Sequence, residues 1–554
     1  MTSSRFGVRN NRKTVVPRLS AIALATLLAG GTAAAQSNPD ATASTAPSTA
    51  PAVAAARAKK PSATTVLKET MSGKQKAKDA AGAQKITVAA NTGDATASGS
   101  SPKAKDAGAI KEASTDRPLV IQGIPSTDKL GATHAADEPP PPVETPRQGI
   151  LSGVGTKMND WGFTPVFNLT QMYLTNPSVG QQTGNHEALT FIALGGDFDL
   201  QKIAGFNGAT IHFQQLWVPF TSNLGWGSQV GDVLVGQPGP YVPKVSHLAL
   251  FTWEQKAFND RLDVEVGKSN PDLYFAAPVC NSGFACQSAI LQDNAGMNPP
   301  IYVNWGGRVR YNLTPALSVQ AGVWRSNPAF PFTNGYEWTD TVPDSNVWLA
   351  NIVYRTSYAT DPYPKSYEAL FYYNTRTQTD PLTAATHKGT SGAYFGGRQV
   401  VYRPDGGKSG VSDPTALSVF GSLTTSFDSH ASTGLAVTGI TGLILEAPFR
   451  SRPHDSYGLS FLWATLTPNE QEYLKQQNLA AGGTGYTVGR TQFALKLDAN
   501  IAVTRSIIAS PYVMRSWNTN TWGNPVYAGT PKNGWAAGIL ATIFFDKMLG
   551  LTDH

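Results

Sequence analysis

Asp263 and Glu265 stand two residues apart in the stretch RLDVEVGK, and Arg308 and Arg310 stand two apart in a second stretch further on. In an extended chain residues i and i+2 share a face, so each pair presents two like charges on one side. Two carboxylates at that spacing could imitate the acid and base of a glycoside hydrolase. One strand supplying both is a poor arrangement for flanking a glycosidic bond, however, and acidic pairs are ordinary on polar walls. The two guanidinium groups offer donors in a fixed fork that suits carboxylates and vicinal hydroxyls alike. Other catalytic signatures fail on inspection. His186-Glu187 would need a histidine where Thr190 stands to read as a zinc helix, and Gly407-Lys408-Ser409 has Tyr402 where a P-loop needs its first glycine. The sequence therefore predicts no enzyme, no cofactor and no metal.

The elements that carry these charges alternate. Leu262, Val264 and Val266 oppose Arg261, Asp263 and Glu265; Val303, Trp305, Val309 and Tyr311 oppose Asn304, Arg308 and Arg310. Leu317, Val319, Ala321 and Val323 continue the pattern against Ser318, Gln320 and Trp324. A soluble sandwich also alternates, so count and length must separate the cases. Sixteen such segments run from Trp161 to Phe545, among them Ser246–Ala257, Arg261–Lys268, Tyr302–Asn312, Ser456–Leu466 and Asn533–Phe545. Several run about 9 to 13 residues, enough to cross a bilayer when tilted. An even number suits an antiparallel barrel whose ends meet. After the leader no stretch has 18 uninterrupted apolar residues, which excludes a helical membrane protein. The expectation is an all-β, sixteen-stranded antiparallel transmembrane barrel over residues 149–554, preceded by a disordered N-terminal arm.

Residues 1–35 read as a secretory signal: Arg5, Arg9, Arg12, Lys13 and Arg18, a short apolar core from Ala21 to Leu28, then Ala33-Ala34-Ala35. Those five residues account for most of the net charge of +6, because without them 39 basic face 38 acidic residues. A near-neutral mature chain gives no reason to expect nucleic acid. Residues 36–148 are rich in Ala, Ser, Thr, Lys and Pro, hold no aromatic residue and end in Pro139 to Pro142. Such a segment cannot bury enough apolar area to offset its ordering entropy, and reads as a periplasmic tether. The only cysteines, Cys280 and Cys286 in CNSGFAC, are expected to form one small-loop disulfide in an outward loop, with two free thiols as the alternative.

Connections divide into tight turns, such as Asn259-Asp260 and Thr314-Pro315, and the long Thr221–Val245, Ser269–Ile301 and Thr467–Gly489. Barrels of this kind put short turns on the periplasmic side, and the long loops become candidates to fold inward and narrow a pore. Trp161, Tyr173, Trp217, Trp348, Tyr358, Trp517 and Phe544 fall near strand ends, where an interfacial girdle would place them.

From about Gly149 to Phe545 the order of features resembles the OprB-type carbohydrate-selective porins. The pieces that carry the resemblance are WGFTPVFNLTQMYL, GGDFDLQKIAGFNGATIHF, WEQKAFNDRLDVEVGKSNPDLYFA, NPPIYVNWGGRVRYNLTPALSVQAGVWRSNP and the closing GWAAGILATIFF. The resemblance implies an outer-membrane barrel of a Gram-negative bacterium that lets small, glucose-like carbohydrates diffuse passively into the periplasm. It also implies contact with outer-membrane lipid and the barrel-assembly machinery, and it leaves open whether barrels associate as homotrimers. Lys547 to His554 follow Phe545, where many such barrels end on an aromatic residue that the assembly machinery reads.

A sugar channel needs groups that replace water on hydroxyls, aromatic faces for the ring, and binding weak enough to release. By strand parity the substrate-binding, pore-lining candidates are Asp263, Glu265, Arg308, Arg310, Trp324, Glu368, Arg376, Lys496 and Asp498. Their mixed signs suit neutral polyols; the plainer role is pairing with one another to keep a polar wall hydrated. Two other classes stand beside this reading. A polysaccharide exporter would have a wide, continuously basic lumen, and a secreted carbohydrate-binding or hydrolysing β protein would not depend on detergent.

Overall fold

A strand with one apolar and one polar face can cross a bilayer only if every backbone group is paired, which requires the sheet to close. The computed structural model, which describes residues 149–236, 246–282, 295–296, 302–326, 334–339, 345–408 and 414–552, shows that closure. The leader, the arm and Cys286 lie outside the described residues.

The first eight strands are β1 (Phe163–Thr175), β2 (His186–Asp199), β3 (Ala209–Thr221), β4 (Ser246–Ala257), β5 (Leu262–Ser269), β6 (Asn304–Asn312), β7 (Leu317–Ser326) and β8 (Ser345–Arg355). The second eight are β9 (Lys365–Thr379), β10 (Thr386–Tyr402), β11 (Ala416–Ser426), β12 (Leu435–Glu446), β13 (Ser456–Leu466), β14 (Thr491–Thr504), β15 (Ile507–Trp517) and β16 (Gly534–Phe544). Each pairs with its sequence neighbour, and β1 pairs antiparallel with β16, Leu169 opposite Ile543, to complete the ring. All sixteen expected strands are present.

Parity follows the sequence pattern. In β8, Ser345, Val347, Leu349 and Asn351 are buried within the barrel, whereas Trp348, Ala350 and Ile352 are exposed outside it. In β6, Arg308 is buried while Val309 is 47% exposed, so the apolar side faces outward and the charges inward. The short turns gather at one rim and the long loops at the other. At the turn between β4 and β5, Phe258, Asn259 and Asp260 all adopt positive φ, which Asn and Asp tolerate best.

Two of the long loops turn into the barrel. Val233, Leu234 and Val235, after β3, join Leu216, Leu462, Leu466 and Leu540 of the inner wall in one buried cluster. Asp232 anchors that loop by accepting Nε2 of Gln492 on β14 at 2.9 Å. The loop after β5 crosses to the far wall, where Asn281 donates to Asp498 at 2.7 Å and Asn500 donates to the Asn281 carbonyl at 2.7 Å. Cys280 is disulfide-bonded and buried in the same cluster. The long loop Ser269–Ile301 was a candidate to fold inward, and the hydrogen-bonding inner wall of β13 and β14 holds its Cys280–Asn281 segment there. The third long loop forms a helix, Pro468–Ala480, whose Leu474 packs into the cluster from the rim.

Two expected girdle aromatics are elsewhere. Tyr358 is buried in the turn after β8, with the Arg403 guanidinium 5.0 Å from its ring. Phe544 is buried on the inward parity of β16, and its neighbour Phe545 takes the outward place, stacked on Phe167 at 4.8 Å.

On the outer wall, Lys268 has the apolar parity of β5 and stands opposite Phe251 and Trp305. A lysine facing lipid would be expensive. Here the segment 334–339, from the loop after β7, folds over it. Trp305 and Trp338 each hold the ammonium 5.5 Å from a ring, and Lys268 donates to the Glu337 carbonyl.

Candidate functional site

The inward charges concentrate toward the turn ends of their strands, and the densest group spans β2 to β7. Arg308 Nη2 lies 2.9 Å from Asp263, 3.1 Å from Glu265 and 3.6 Å from Glu254, while Nη1 donates to Gln320 at 3.2 Å. Arg310 reaches Asp263 at 3.3 Å. Opposition is built in by register, because Glu265 pairs with Arg308 and Asp263 with Arg310 across β5 and β6. Around them Thr252 donates to Glu265 at 2.6 Å, and His212 links Glu254 at 3.4 Å to Asp197. Buried charges survive only when compensated, and Asp263, Glu265 and Glu254 each stand within 3.6 Å of the Arg308 guanidinium.

The inward loop supplies the aromatic component. After the short helical turn Pro271–Leu273, Tyr274 lays its ring 4.7 Å from the Arg308 guanidinium, and its hydroxyl donates to Glu265 at 2.7 Å. Gln320 donates to the Tyr274 carbonyl at 2.9 Å, so the loop is held to β7 as well.

Trp324 is fully buried rather than open to the lumen. Its indole donates to Ser269 at 3.0 Å and stacks under Tyr274 at 5.7 Å, supporting the loop from below. Gly306 makes room for it, since a Cβ there would fall 2.2 Å from the indole. Glu368, on β9, receives the backbone N–H groups of Ala276 at 2.9 Å and Ala277 at 3.1 Å together with the Asn351 amide at 2.7 Å. It is thus the next anchor of the same loop. Lys496 and Asp498 pair at 3.1 Å on the far wall and meet the loop through Asn281. Arg376 is exposed near the loop end of β9 beside a register shift.

Seven of the nine predicted residues therefore touch the loop after β5 directly or through one partner, Arg310 joins them through Asp263, and Arg376 joins them through Asn374, which accepts the Arg376 amide at 2.9 Å and donates to the Ala295 carbonyl at 2.5 Å. Sequence reading missed Glu254 and His212, although both lie on predicted strands at the inward parity. It missed Tyr274 and Asn281 for a different reason: a loop has no periodicity from which to read direction. Arg398 and Glu446, paired across the inner wall from β10 to β12, were missed as well.

A closed sixteen-stranded barrel, apolar outside and charged inside with loops folded into its lumen, defines an outer-membrane porin. Residues 189–533 match the carbohydrate-selective porin, OprB family, and the chain belongs to that family. Porin B of Pseudomonas aeruginosa is 24% identical over 301 residues, covering 48% of this chain. The matched part spans 62% of that relative's length. A solved high-pH structure of Pseudomonas putida OprB superposes with a TM-score of 0.60 at 21% identity, covering 71% of this chain and 96% of that one. That likeness concerns the fold.

Proposed function

We propose that the barrel is a passive channel for small neutral carbohydrates, glucose-like in size, that delivers them to the side of the short turns, the periplasm. The observation that carries this reading is the Arg308 cluster with Tyr274 lying over it. Fixed charges of both signs at close quarters give neither cations nor anions a continuous path, while they offer many donors and acceptors to hydroxyls. An aromatic ring beside them supplies a face for the C–H side of a sugar. A basic lumen, as a polysaccharide exporter would need, is not what these strands carry.

The nine pore-lining candidates divide in this proposal. Arg310 meets the solute beside the Tyr274 ring; the buried Asp263, Glu265 and Arg308 position both; Trp324, Glu368, Lys496 and Asp498 hold the loop that shapes its path; Arg376 acts at the entrance. Cys280 and Cys286 stiffen the loop tip. Residues 36–148 tether the barrel on the periplasmic side after the leader is cleaved.

Liposome swelling tests the reading. Vesicles holding the protein should swell quickly in glucose and more slowly in singly charged solutes of the same size. Equal rates for neutral and charged solutes would refute selectivity of this kind.

A further inference from the structure

The helix Ser152–Trp161 lies at the foot of β1, and its two ends are tied to different neighbours. At its start the Leu151 amide donates to the Leu549 carbonyl at 2.9 Å, in the tail that follows β16. At its end the amide of Asp199, the last residue of β2, donates to the Gly162 carbonyl at 2.7 Å, and Lys202, in the turn that follows, donates to the Asn159 carbonyl at 2.8 Å. Since β1 sits between β16 and β2, the helix runs along the rim and not down the barrel. Ten residues rise about 15 Å, which matches three strands at roughly 4.8 Å each.

Its sides differ. Gly155 is its one buried residue, and a Cβ there would fall 2.5 Å from the Gly550 carbonyl oxygen, so this side packs on the tail. Val154, Met158 and Trp161 follow at spacings of four and three on a second side, with Val154 48% and Trp161 59% exposed. Ile150, just before the helix, is 87% exposed. Thr156 and Asp160 occupy the third, polar side. The apolar side continues the outward aromatic band at the feet of the neighbouring strands, formed by Phe163 on Phe198 at 4.6 Å and Phe167 on Phe545 at 4.8 Å. Lys157 and Lys202, both exposed, flank it.

We infer that this helix is an interfacial anchor: it lies in the plane of the leaflet that meets the short turns, with Ile150, Val154 and Trp161 among the acyl chains and Lys157 and Lys202 on anionic phospholipid headgroups. Apolar residues on one side and lysines at its edge, on a helix held parallel to the membrane, are what such a surface takes. The inference rests on the chain being a membrane barrel and is independent of which solute crosses it.

The test uses the full mature chain with its disulfide intact, carrying Val154→Cys, Trp161→Cys or Thr156→Cys labelled with an environment-sensitive fluorophore. Vesicles of phosphatidylethanolamine with phosphatidylglycerol provide the surface, and heat-dependent gel mobility verifies that each variant holds a folded barrel. Labels at 154 and 161 should emit to the blue of the label at 156 and be quenched at least twofold more by lipids carrying a nitroxide near the headgroup. Lys157→Glu with Lys202→Glu should remove the dependence of that contrast on phosphatidylglycerol. Equal emission at 154 and 156 would place the stripe in water and overturn the inference. Blue emission without quenching by nitroxide lipids would overturn it too, since the stripe would then be covered by residues 1–148 or by a second copy of the chain.

Discussion

Tyr274 and Arg308 come from different parts of the barrel, one from the loop after β5 and the other from the wall of β6, and their ring and guanidinium lie 4.7 Å apart. Both also bind Glu265, at 2.7 Å and 3.1 Å. Wall charge and loop position are therefore one unit. Tyr274→Phe keeps the ring and loses one hydrogen bond to a charged group, a loss of about 1.5–3 kcal/mol. Tyr274→Ala removes both contacts. In planar bilayers Tyr274→Phe should retain sugar affinity within a few fold, whereas Tyr274→Ala should raise conductance and weaken sugar block. If the two variants behave alike, the ring has no part in solute contact.

Arg308 is the counter-charge to Asp263, Glu265 and Glu254. Arg308→Ala leaves three carboxylates facing one another with Arg310 beside Asp263 and Lys256 4.0 Å from Glu254, and removing one partner of a buried pair costs roughly 3–5 kcal/mol. A barrel whose strand ladder is otherwise intact should still assemble, with a lower unfolding temperature and a clear shift toward cation selectivity. Arg310→Ala, at a half-exposed guanidinium 3.3 Å from Asp263, should show the same selectivity shift with a smaller loss of stability. Reversal potentials in a salt gradient measure the first effect and heat-dependent gel mobility the second.

Between those arginines, Val309 points outward. Val309→Arg would set a guanidinium against lipid at a cost of about 2–4 kcal/mol if it lies near the midplane. Recovery of folded protein in the outer membrane should fall well below that of Arg308→Ala, which quantitative fractionation reads. Normal insertion of Val309→Arg would mean that the β6 register is shifted by one residue.

At the loop rim, burial pushes the Glu470 carboxyl up to about 8, and nearby Asp380 adds to the effect. The folded loop binds this proton more tightly than the unfolded chain does. Its stability is thus complete below the usual carboxylate range, declines as pH rises, and has lost this contribution once pH passes about 8. Glu470 sits in the first turn of the helix Pro468–Ala480, where the Thr467 hydroxyl caps its amide at 3.2 Å. Hydrogen exchange across residues 468–480 should quicken between pH 5 and about 8 beyond the intrinsic rate, and Glu470→Gln should abolish the excess. A pH-independent protection factor in the native chain would contradict this.

Much of the barrel was legible because a strand of period two writes its orientation into every second residue. Ser246–Ala257 and Ser456–Leu466 were placed to the residue, and the pairing of Asp263 and Glu265 with Arg310 and Arg308 follows from two strands read independently. The same rule explains the misplaced girdle residue, since a shift of one, from Phe545 to Phe544, moves a side chain through the wall. What was not legible lies in the connections. Tyr274, Asn281 and Asp232 reach their partners across the lumen through contacts far apart in sequence, and no local pattern encodes that direction. Trp324 shares the inward parity of Gln320, yet its burial depends on a loop covering it, which strand parity cannot report. Lys268 broke the outward apolar pattern for the same reason.

Single-channel recording with sugar titration bears on all of this at once. With the purified protein in a planar bilayer, adding glucose should reduce the ion current along a saturating curve, because solute occupies the lumen beside Tyr274 and Arg310, and Arg308→Ala, which removes the support of that ring, should shift the midpoint to higher concentration by about tenfold, equivalent to roughly 1.4 kcal/mol. A current that falls only in proportion to solution viscosity, with no saturation and no difference between wild type and variant, would contradict a carbohydrate site beside the Arg308 cluster.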